Sequence, residues 1–332
     1  MAAEVSSEGD LIATYLAPLA RRVPGALGLK DDCALLVAPP GTDLIVTTDA
    51  VASGVHFFPS DAPGDVAWKA LAVNVSDLVA KGAVPFAYQM ALSFPEAPQR
   101  DWMAAFAAGL DAAQTAFGLG LTGGDTDKRP GPLTITITAF GHVPKGRMVL
   151  RSGARPGDHL FVSGTLGDSA LGLLLRQSPH LAHNWQLNAV EADHLAQRYL
   201  RPQPRLALAP ALRDFATAAM DLSDGLMKDL GRLCETSSIG AIVQAAALPL
   251  SPAARAALHH DPALLTAIVA GGDDYEIICA VPESAAAGFR AATEAAGVPV
   301  ASLGIFSQAR DVMLVGPDGR AIELGNSGWD HF

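Results

Sequence analysis

Short β-branched runs alternate with longer stretches of helical periodicity along the 332 residues, an order that predicts an α/β protein. Residues 10–22 read as a first amphipathic helix, and Asp31-Asp32 open a short strand from Cys33 to Val37. Residues 44–48, Leu-Ile-Val-Thr-Thr, form a strand core that runs into Asp49. The run is too short for a helix and ends in oxygen donors, so it predicts a buried strand whose end faces something hydrophilic. A helix is expected over 64–82, with Val66, Ala70, Val73, Asp77 and Lys81 along one side. A strand over 85–94, an Ala-rich helix over 99–117 and a strand over 133–140 follow. In this last strand, Leu-Thr-Ile-Thr-Ile-Thr-Ala-Phe, the strict alternation predicts one buried and one polar face.

The Gly, Pro and charged residues of 144–158 predict a connection between two domains, residues 1–148 and 149–332. Beyond it a strand over 159–163 leads through Gly164–Asp168 into a helix, and short elements alternate up to about residue 306. Residues 178–190 read as a polar surface connection, and the ending carries Trp329 and Phe332. Ser76-Asp77 precedes Gly123-Gly124-Asp125 much as Ser223-Asp224 precedes Gly271-Gly272-Asp273, at 48 and 49 residues between aspartates. Two related halves or a chance recurrence would both produce this echo.

Half of the residues are hydrophobic, enough for two cores, and the net charge is −11 with no Lys/Arg-rich run. A nucleic-acid or anionic-membrane surface is therefore not expected, and a protein this acidic needs cations to handle anions. Cys33, Cys234 and Cys279 lie far apart without a CxxC pair, so each is expected to be a small core residue. No apolar run reaches the roughly 18 residues of a membrane span. The acidic-then-basic order around residues 4–22 inverts that of a signal peptide, so a cytoplasmic protein is expected.

The chemistry-bearing positions are aspartates set among apolar residues or glycines, as in Met220-Asp221-Leu222-Ser223-Asp224-Gly225 and Thr122-Gly123-Gly124-Asp125. Carboxylates held near a core need a compensating cation, and hard oxygen ligands select Mg²⁺ or Ca²⁺; a solvated acidic face is the plainer alternative. The Gly-Gly pairs suit a backbone cradle for phosphate or an ordinary turn. Asp77 and Asp224 each precede a lysine by four residues, so a helical ion pair would also account for them. His56 is either a substrate contact or a structural histidine, and Arg151 either a phosphate ligand or a linker arginine. There is no Walker loop, dinucleotide fingerprint, protein-kinase motif, zinc-protease motif or nucleophile elbow.

Nine segments in order, KDDCALL (30–36), TTDAVASGVHF (47–57), AVNVSDLVAKGAVP (72–85), TGGDTD (122–127), LRSGARPGD (150–158), VSGTLGDSALGL (162–173), MDLSDGL (220–226), GGDDYE (271–276) and GWDHF (328–332), resemble the thiamine-monophosphate kinase family. That family sits in the group of aminoimidazole ribonucleotide and selenophosphate synthetases. The resemblance implies an ATP- and Mg²⁺-dependent phosphorylation of thiamine monophosphate to thiamine diphosphate by a two-domain α/β homodimer. In it the N-terminal mixed sheet with helices would form a barrel-like dimer interface and bind ATP and metal, and the C-terminal α/β domain would complete the active site. By the same resemblance Asp32, Thr47, Thr48, Asp49, Asp77, Asp125, Asp221 and Asp224 would hold several Mg²⁺ ions. Gly124, Asp125, Arg151 and Ser223 would contact ATP, and His56, Asp273 and Trp329 the acceptor. The family commonly has Glu where this chain has Asp273, and some members have an ATP-contacting Tyr at the position of Ala107. A phosphate monoester is largely dianionic at neutral pH, its second pKa being about 6, so no general base is expected and direct in-line transfer follows. A synthetase that phosphorylates another acceptor, or a nucleotide-binding scaffold, are the competing readings.

Overall fold

The computed structural model describes residues 4–325 and Gly328. Its contacts group into two compact units, Met1–Leu78 with Ala83–Gly146, and Val79–Gly82 with Arg147–Phe332.

The first unit is built on four strands, β1 (Thr42–Ala52), β2 (Val84–Phe94), β3 (Gly120–Lys128) and β4 (Thr134–Pro144), in the spatial order β1-β4-β2-β3. β4 is antiparallel to both β1 and β2, whereas β2 and β3 are parallel and joined by the helix Arg100–Phe117, as a parallel crossover requires. The alternation read in the sequence governs β4: Ile135, Ile137, Ala139 and Val143 are fully buried, and the intervening Thr134, Thr136, Thr138, Phe140 and His142 are half-exposed. The helix Pro63–Ala80 is buried on nearly every side, Ala67, Leu71, Ala72, Val75 and Leu78 all being inaccessible. It crosses the Arg100–Phe117 helix at Gly64 and Gly109, where a Cβ on Gly109 would lie 2.5 Å from the Gly64 Cα. Only paired glycines permit that approach.

The barrel-like sheet expected here is not formed. Among the described residues β1 pairs only with β4 and β3 only with β2, so the sheet is open with two edges. Four strands are too few to curl round and close on themselves, since even small closed barrels use about eight.

Three further expectations are corrected. Residues 10–22 are an α-helical turn (Glu8–Leu11), a π-helical turn (Ile12–Leu16) and a 3-10 turn (Leu19–Arg22). Pro18 lacks the N–H that would continue the ladder, and neighbouring amides shift partners, Ala17 donating to Ile12 O at 2.8 Å and Ala20 to Ala17 O at 3.2 Å. The strand over 33–37 is absent: Leu35 and Val37 are 67% and 73% exposed, and Cys33 is exposed rather than in the core. Gly123-Gly124, for which a phosphate cradle and an ordinary turn both stood open, lie in β3, which pairs with β2 from Gly120 to Lys128 around a bulge at Thr122, whose hydroxyl donates to Tyr88 O at 2.9 Å.

The second unit carries a six-stranded sheet, β5 (His159–Ser163), β6 (Ala218–Asp221), β7 (Gly240–Gln244), β8 (Ile277–Val281), β9 (Val300–Ser307) and β10 (Val312–Val315), in the order β10-β7-β9-β5-β8-β6. Only β7 and β10 are parallel. One face packs Leu160, Val162, Met220, Ile278 and Leu303 against the helices Asp168–Gln177 and Leu226–Ser237. On the other, Phe161 stacks against Phe289 with ring centres 5.1 Å apart. The polar connection expected over 178–190 contains a short helix, Leu181–Asn184, and buries Trp185 at 2% exposure. It ends in a capping box, in which Asn188 accepts from the Val190 and Glu191 amides and Glu191 from Asn188 N–H.

Candidate active site

In the first unit β1 presents its residues alternately to two faces. Ile45, Thr47, Asp49 and Val51 share one face, and Thr48 turns to the other with Leu44 and Val46. Thr47 and Asp49 meet the helix Pro63–Ala80, the Thr47 hydroxyl donating to Asp77 Oδ2 at 2.5 Å and Asp49 N–H to Asn74 Oδ1 at 3.0 Å. Asn74 and Asp77 stand one turn apart, so a single helix face carries the polar groups opposite the strand. Thr48 instead shares a hydrogen bond of 2.9 Å with Thr138. The adjacent threonines therefore cannot offer both hydroxyls to one ion.

A cavity of about 540 Å³ opens in this unit, walled by Asp31, Asp32 and Cys33, by Gly123–Thr126 of β3, and by Thr136 and Thr138 of β4. Asp32, Gly124 and Asp125 thus come together. Asp31 Oδ1 accepts from Asp32 N–H at 2.8 Å and Asp125 Oδ1 from Thr126 N–H at 2.9 Å, which fixes one oxygen of each carboxylate. Gly124 is set by packing: at φ 155° its Cβ would lie 1.8 Å from Met90 O. The glycine is demanded by the neighbouring strand, and the bulge before it turns Asp125 towards the cavity.

The donor set fits a hard divalent cation. Among the described residues no three His, Cys, Asp or Glu side chains close round one point, so a cage made of protein alone is not formed. Mg²⁺ needs none, because it takes one or two carboxylates and completes its octahedron with water and substrate phosphates. Asp32, Asp125, Asp49 and Asp77 are the carboxylates of this unit that could serve.

His56 lies in the turn after β1, its Nδ1 accepting from Ala52 N–H at 3.1 Å while Lys69 Nζ donates to its carbonyl at 2.9 Å. In the neutral ring the proton is then on Nε2.

In the second unit β6 ends at Asp221, buried at 6% exposure, and the chain turns through Ser223, Asp224 and Gly225 into the helix Leu226–Ser237. Asp224 forms the ion pair with Lys228 that the spacing implied, at 3.7 Å, and a closer one with Arg232 at 2.6 Å. Arg232 also reaches Asp229 at 2.8 Å, and Asp229 accepts Asp224 N–H at 2.8 Å. Burial, reinforced by the charge of Asp224, pushes the Asp229 carboxyl up to about 6. Asp273 lies against this turn, its N–H donating to Ser223 O at 2.9 Å and its carboxylate accepting from the Tyr275 hydroxyl at 3.3 Å. Beside it Asp274 is buried at the start of the helix Asp168–Gln177, and burial, with the neighbouring charges of Asp168 and Glu276, pushes it up to about 8.

Ser223, Asp224 and Asp273 are thus brought together. Arg151 is not: its carbonyl accepts from Thr236 in the last turn of the Leu226–Ser237 helix, roughly 15 Å along that helix from its start after the Ser223 turn, at about 1.5 Å per residue. Trp329 lies outside the described residues, although a Cβ on Gly328 would lie 2.9 Å from Asp224 O. The two Ser-Asp and Gly-Gly-Asp echoes occupy different elements, a helix and a strand in one unit, a turn and a loop in the other. Asn74 and Asp229 were missed. Asn74 carried a signal, since it stands one helical turn before Asp77.

The chain matches the family of AIR synthase related proteins, in the N-terminal domain over residues 30–143 and the C-terminal domain over 155–315. A thiamine-monophosphate kinase of Caulobacter vibrioides is 41% identical over 334 residues, 99% of this chain and 92% of that protein. The crystal structure of thiamine-monophosphate kinase from Stenotrophomonas maltophilia K279a superposes with a TM-score of 0.80 at 39% identity, covering 89% of this chain and 91% of that one. AaThiL complexed with AMPPCP and TMP superposes with a TM-score of 0.75 at 31% identity, covering 91% of each. With that identity along almost its whole length, the chain belongs to the thiamine-monophosphate kinase family.

Proposed function

We propose that this chain transfers the γ-phosphoryl group of ATP to the phosphate of thiamine monophosphate, forming thiamine diphosphate and ADP. The observation that carries the reading is the cavity in which Asp32 and Asp125 stand together beside the Gly123-Gly124 backbone. Two carboxylates without a cation would repel ATP, and with one they hold it. The AaThiL complex, which contains AMPPCP and TMP, supports the same pair of substrates for a relative.

In this reading Asp32, Thr47, Thr48, Asp49, Asp77 and Asp125 of residues 1–148, and Asp221 and Asp224 of residues 149–332, are the metal ligands. When bound, Mg²⁺ neutralises the phosphates of both substrates. Gly124, Asp125, Arg151 and Ser223 contact ATP. His56, through an Nε2–H donor, Asp273 and Trp329 orient the acceptor. No side chain removes a proton, because the attacking phosphate oxygen is already ionised; the residues act by alignment and by excluding water.

The protein works as a cytoplasmic homodimer in the same reading. Leu44 and Val46 of β1, at 48% and 53% exposure, lie opposite His142 and Phe140 of β4, and this apolar end of the sheet face fits a second copy.

The deciding assay incubates the protein with ATP, Mg²⁺ and thiamine monophosphate and follows thiamine diphosphate and ADP. Folded protein that forms no thiamine diphosphate rejects the assignment. A chiral γ-phosphate should be inverted on transfer, and net retention would rule out the direct route.

A further inference from the structure

In the second unit the segment Gly271–Glu276 sorts its acids between two environments. Asp273 is half-exposed, whereas Asp274 and Glu276 are buried at 4% and 0% exposure. The backbone achieves this by entering the left-handed region at Asp273 (φ 71°) and again at Tyr275 (φ 50°). Residues other than glycine stay there only where their surroundings over-determine the conformation.

Those surroundings are identifiable. Glu276 accepts from Ser163 Oγ at 2.6 Å, Arg198 Nη2 at 2.9 Å and Arg205 Nε at 2.7 Å, with a second contact from Arg205 Nη2. Gly164 leaves room for this fork, since a Cβ there would lie 2.1 Å from Glu276 Oε1. Arg198 also donates to the Asp274 carbonyl at 3.2 Å, and Ser163 Oγ accepts Ile277 N–H at 2.9 Å, so the cluster grips backbone as well as carboxylate. On its other side the segment is sewn to the turn after β6. Tyr275 N–H donates to Leu222 O at 2.8 Å and Leu222 N–H to Glu276 O at 2.8 Å.

We propose that Arg198, Arg205 and Glu276 are positioning residues, whose buried ion cluster fixes the left-handed backbone at Asp273 and so its register against the Ser223–Asp224 turn. Such a cluster is a poor device for stability alone, because desolvation of the charges offsets their attraction and apolar side chains of equal volume would fill the space. Apolar side chains could not hold the Asp274 carbonyl. Arg198 does so while it also reaches Glu276 Oε1, and the planar fork of Arg205 satisfies both oxygens of Glu276.

The inference rests on the proposed role of Asp273 in acceptor binding, and two readouts keep them separate. Arg205→Lys retains the charge without the fork, and Glu276→Gln retains the volume without the charge. In each folded variant the KM for thiamine monophosphate should rise about tenfold or more, and further than the KM for ATP, which the Ser223 turn also serves. Amide hydrogen exchange at residues 222–224 and 273–277 should quicken about tenfold, with β5 and β9 still protected. If Glu276→Gln does not fold, Arg205→Lys decides. Unchanged exchange, an unchanged acceptor KM or an equal rise in both KM values overturns the proposal. If the wild type forms no thiamine diphosphate, the functional reading fails by itself, and exchange alone decides whether the cluster fixes this backbone.

Discussion

Asp125→Asn removes a charge from the cavity while keeping the shape of the side chain. Turnover is expected to fall about 100-fold or more, and the Mg²⁺ concentration for half-maximal activity to rise, with the circular dichroism spectrum unchanged. A variant within a few-fold of wild type at every Mg²⁺ concentration would take Asp125 out of the site. Gly124→Ala probes packing, because its Cβ would meet Met90 O. It should destabilise the first unit by about 2–3 kcal/mol, read as a lowered unfolding midpoint. At this scale the sequence revealed which acids sit among glycines and apolar residues, and Asp32 with Asp125 do line one cavity. It did not reveal why Gly124 is glycine, because that reason lies on a strand about thirty residues away. The opposite facing of Thr47 and Thr48 was legible, because both lie in the strand expected over 44–48 and adjacent strand residues alternate.

Among the elements, those defined by their own periodicity were legible. β4 could be read because alternate residues meet a core and a polar face, and the helix Pro63–Ala80 because its apolar positions recur at helical spacing. Elements settled by a distant partner were not. β3 contains Thr-Gly-Gly-Asp-Thr, turn-like in isolation, and is a strand because β2 offers it a ladder. Leu35 and Val37 have apolar side chains and, among the described residues, no strand to pair with. A pair of helices in the second unit gives a pH prediction. His194 Nε2, from the helix Ala189–Leu200, bonds Asp168 Oδ2 at 3.1 Å; Ser251 and Thr165 donate to the same carboxylate, and Arg198 and Asp193 add their charges nearby. The hydrogen bond to Asp168 raises the His194 pKa above 6.5. Burial draws Asp168 upward, but its three hydrogen bonds outweigh that and leave it below 3.8. The histidine contribution is complete below pH 6.5 and is lost as pH rises through the raised value. The aspartate contribution is present above pH 3.8 and is lost as pH falls through the lowered one. The melting temperature of His194→Gln should therefore fall furthest below wild type between about pH 4 and 6.5 and converge with it in alkaline buffer. A pH-independent difference would rule out the linkage.

For the whole molecule, the sequence conveyed two α/β units and a family, and it misjudged how the first sheet ends. The expectation of closure came from resemblance and not from strand count, whereas the hydrogen-bond ladder leaves β1 and β3 as edges. The exposed Leu44 and Val46 give the proposed dimer a direct test. Val46→Lys places a charge on that face and should shift the protein to monomer in sedimentation velocity, with its secondary structure retained. A dimer of unchanged stability would move the contact elsewhere.

The position of β4 bears on how the polypeptide is made. The last strand of its unit to be synthesised is the one between β1 and β2, pairing Thr42 with Pro144 and Ala52 with Thr134, so β1 has no ladder partner until the ribosome has passed Thr134. Until then β1 is an unpaired strand and β2 has only β3 beside it, and closing the long loop between β1 and β4 slows their burial. Fragments released before residue 134 should be digested rapidly and retained by chaperones. Those that include Pro144 should gain protease resistance in a single step, which makes β4 the commitment point of the nascent unit.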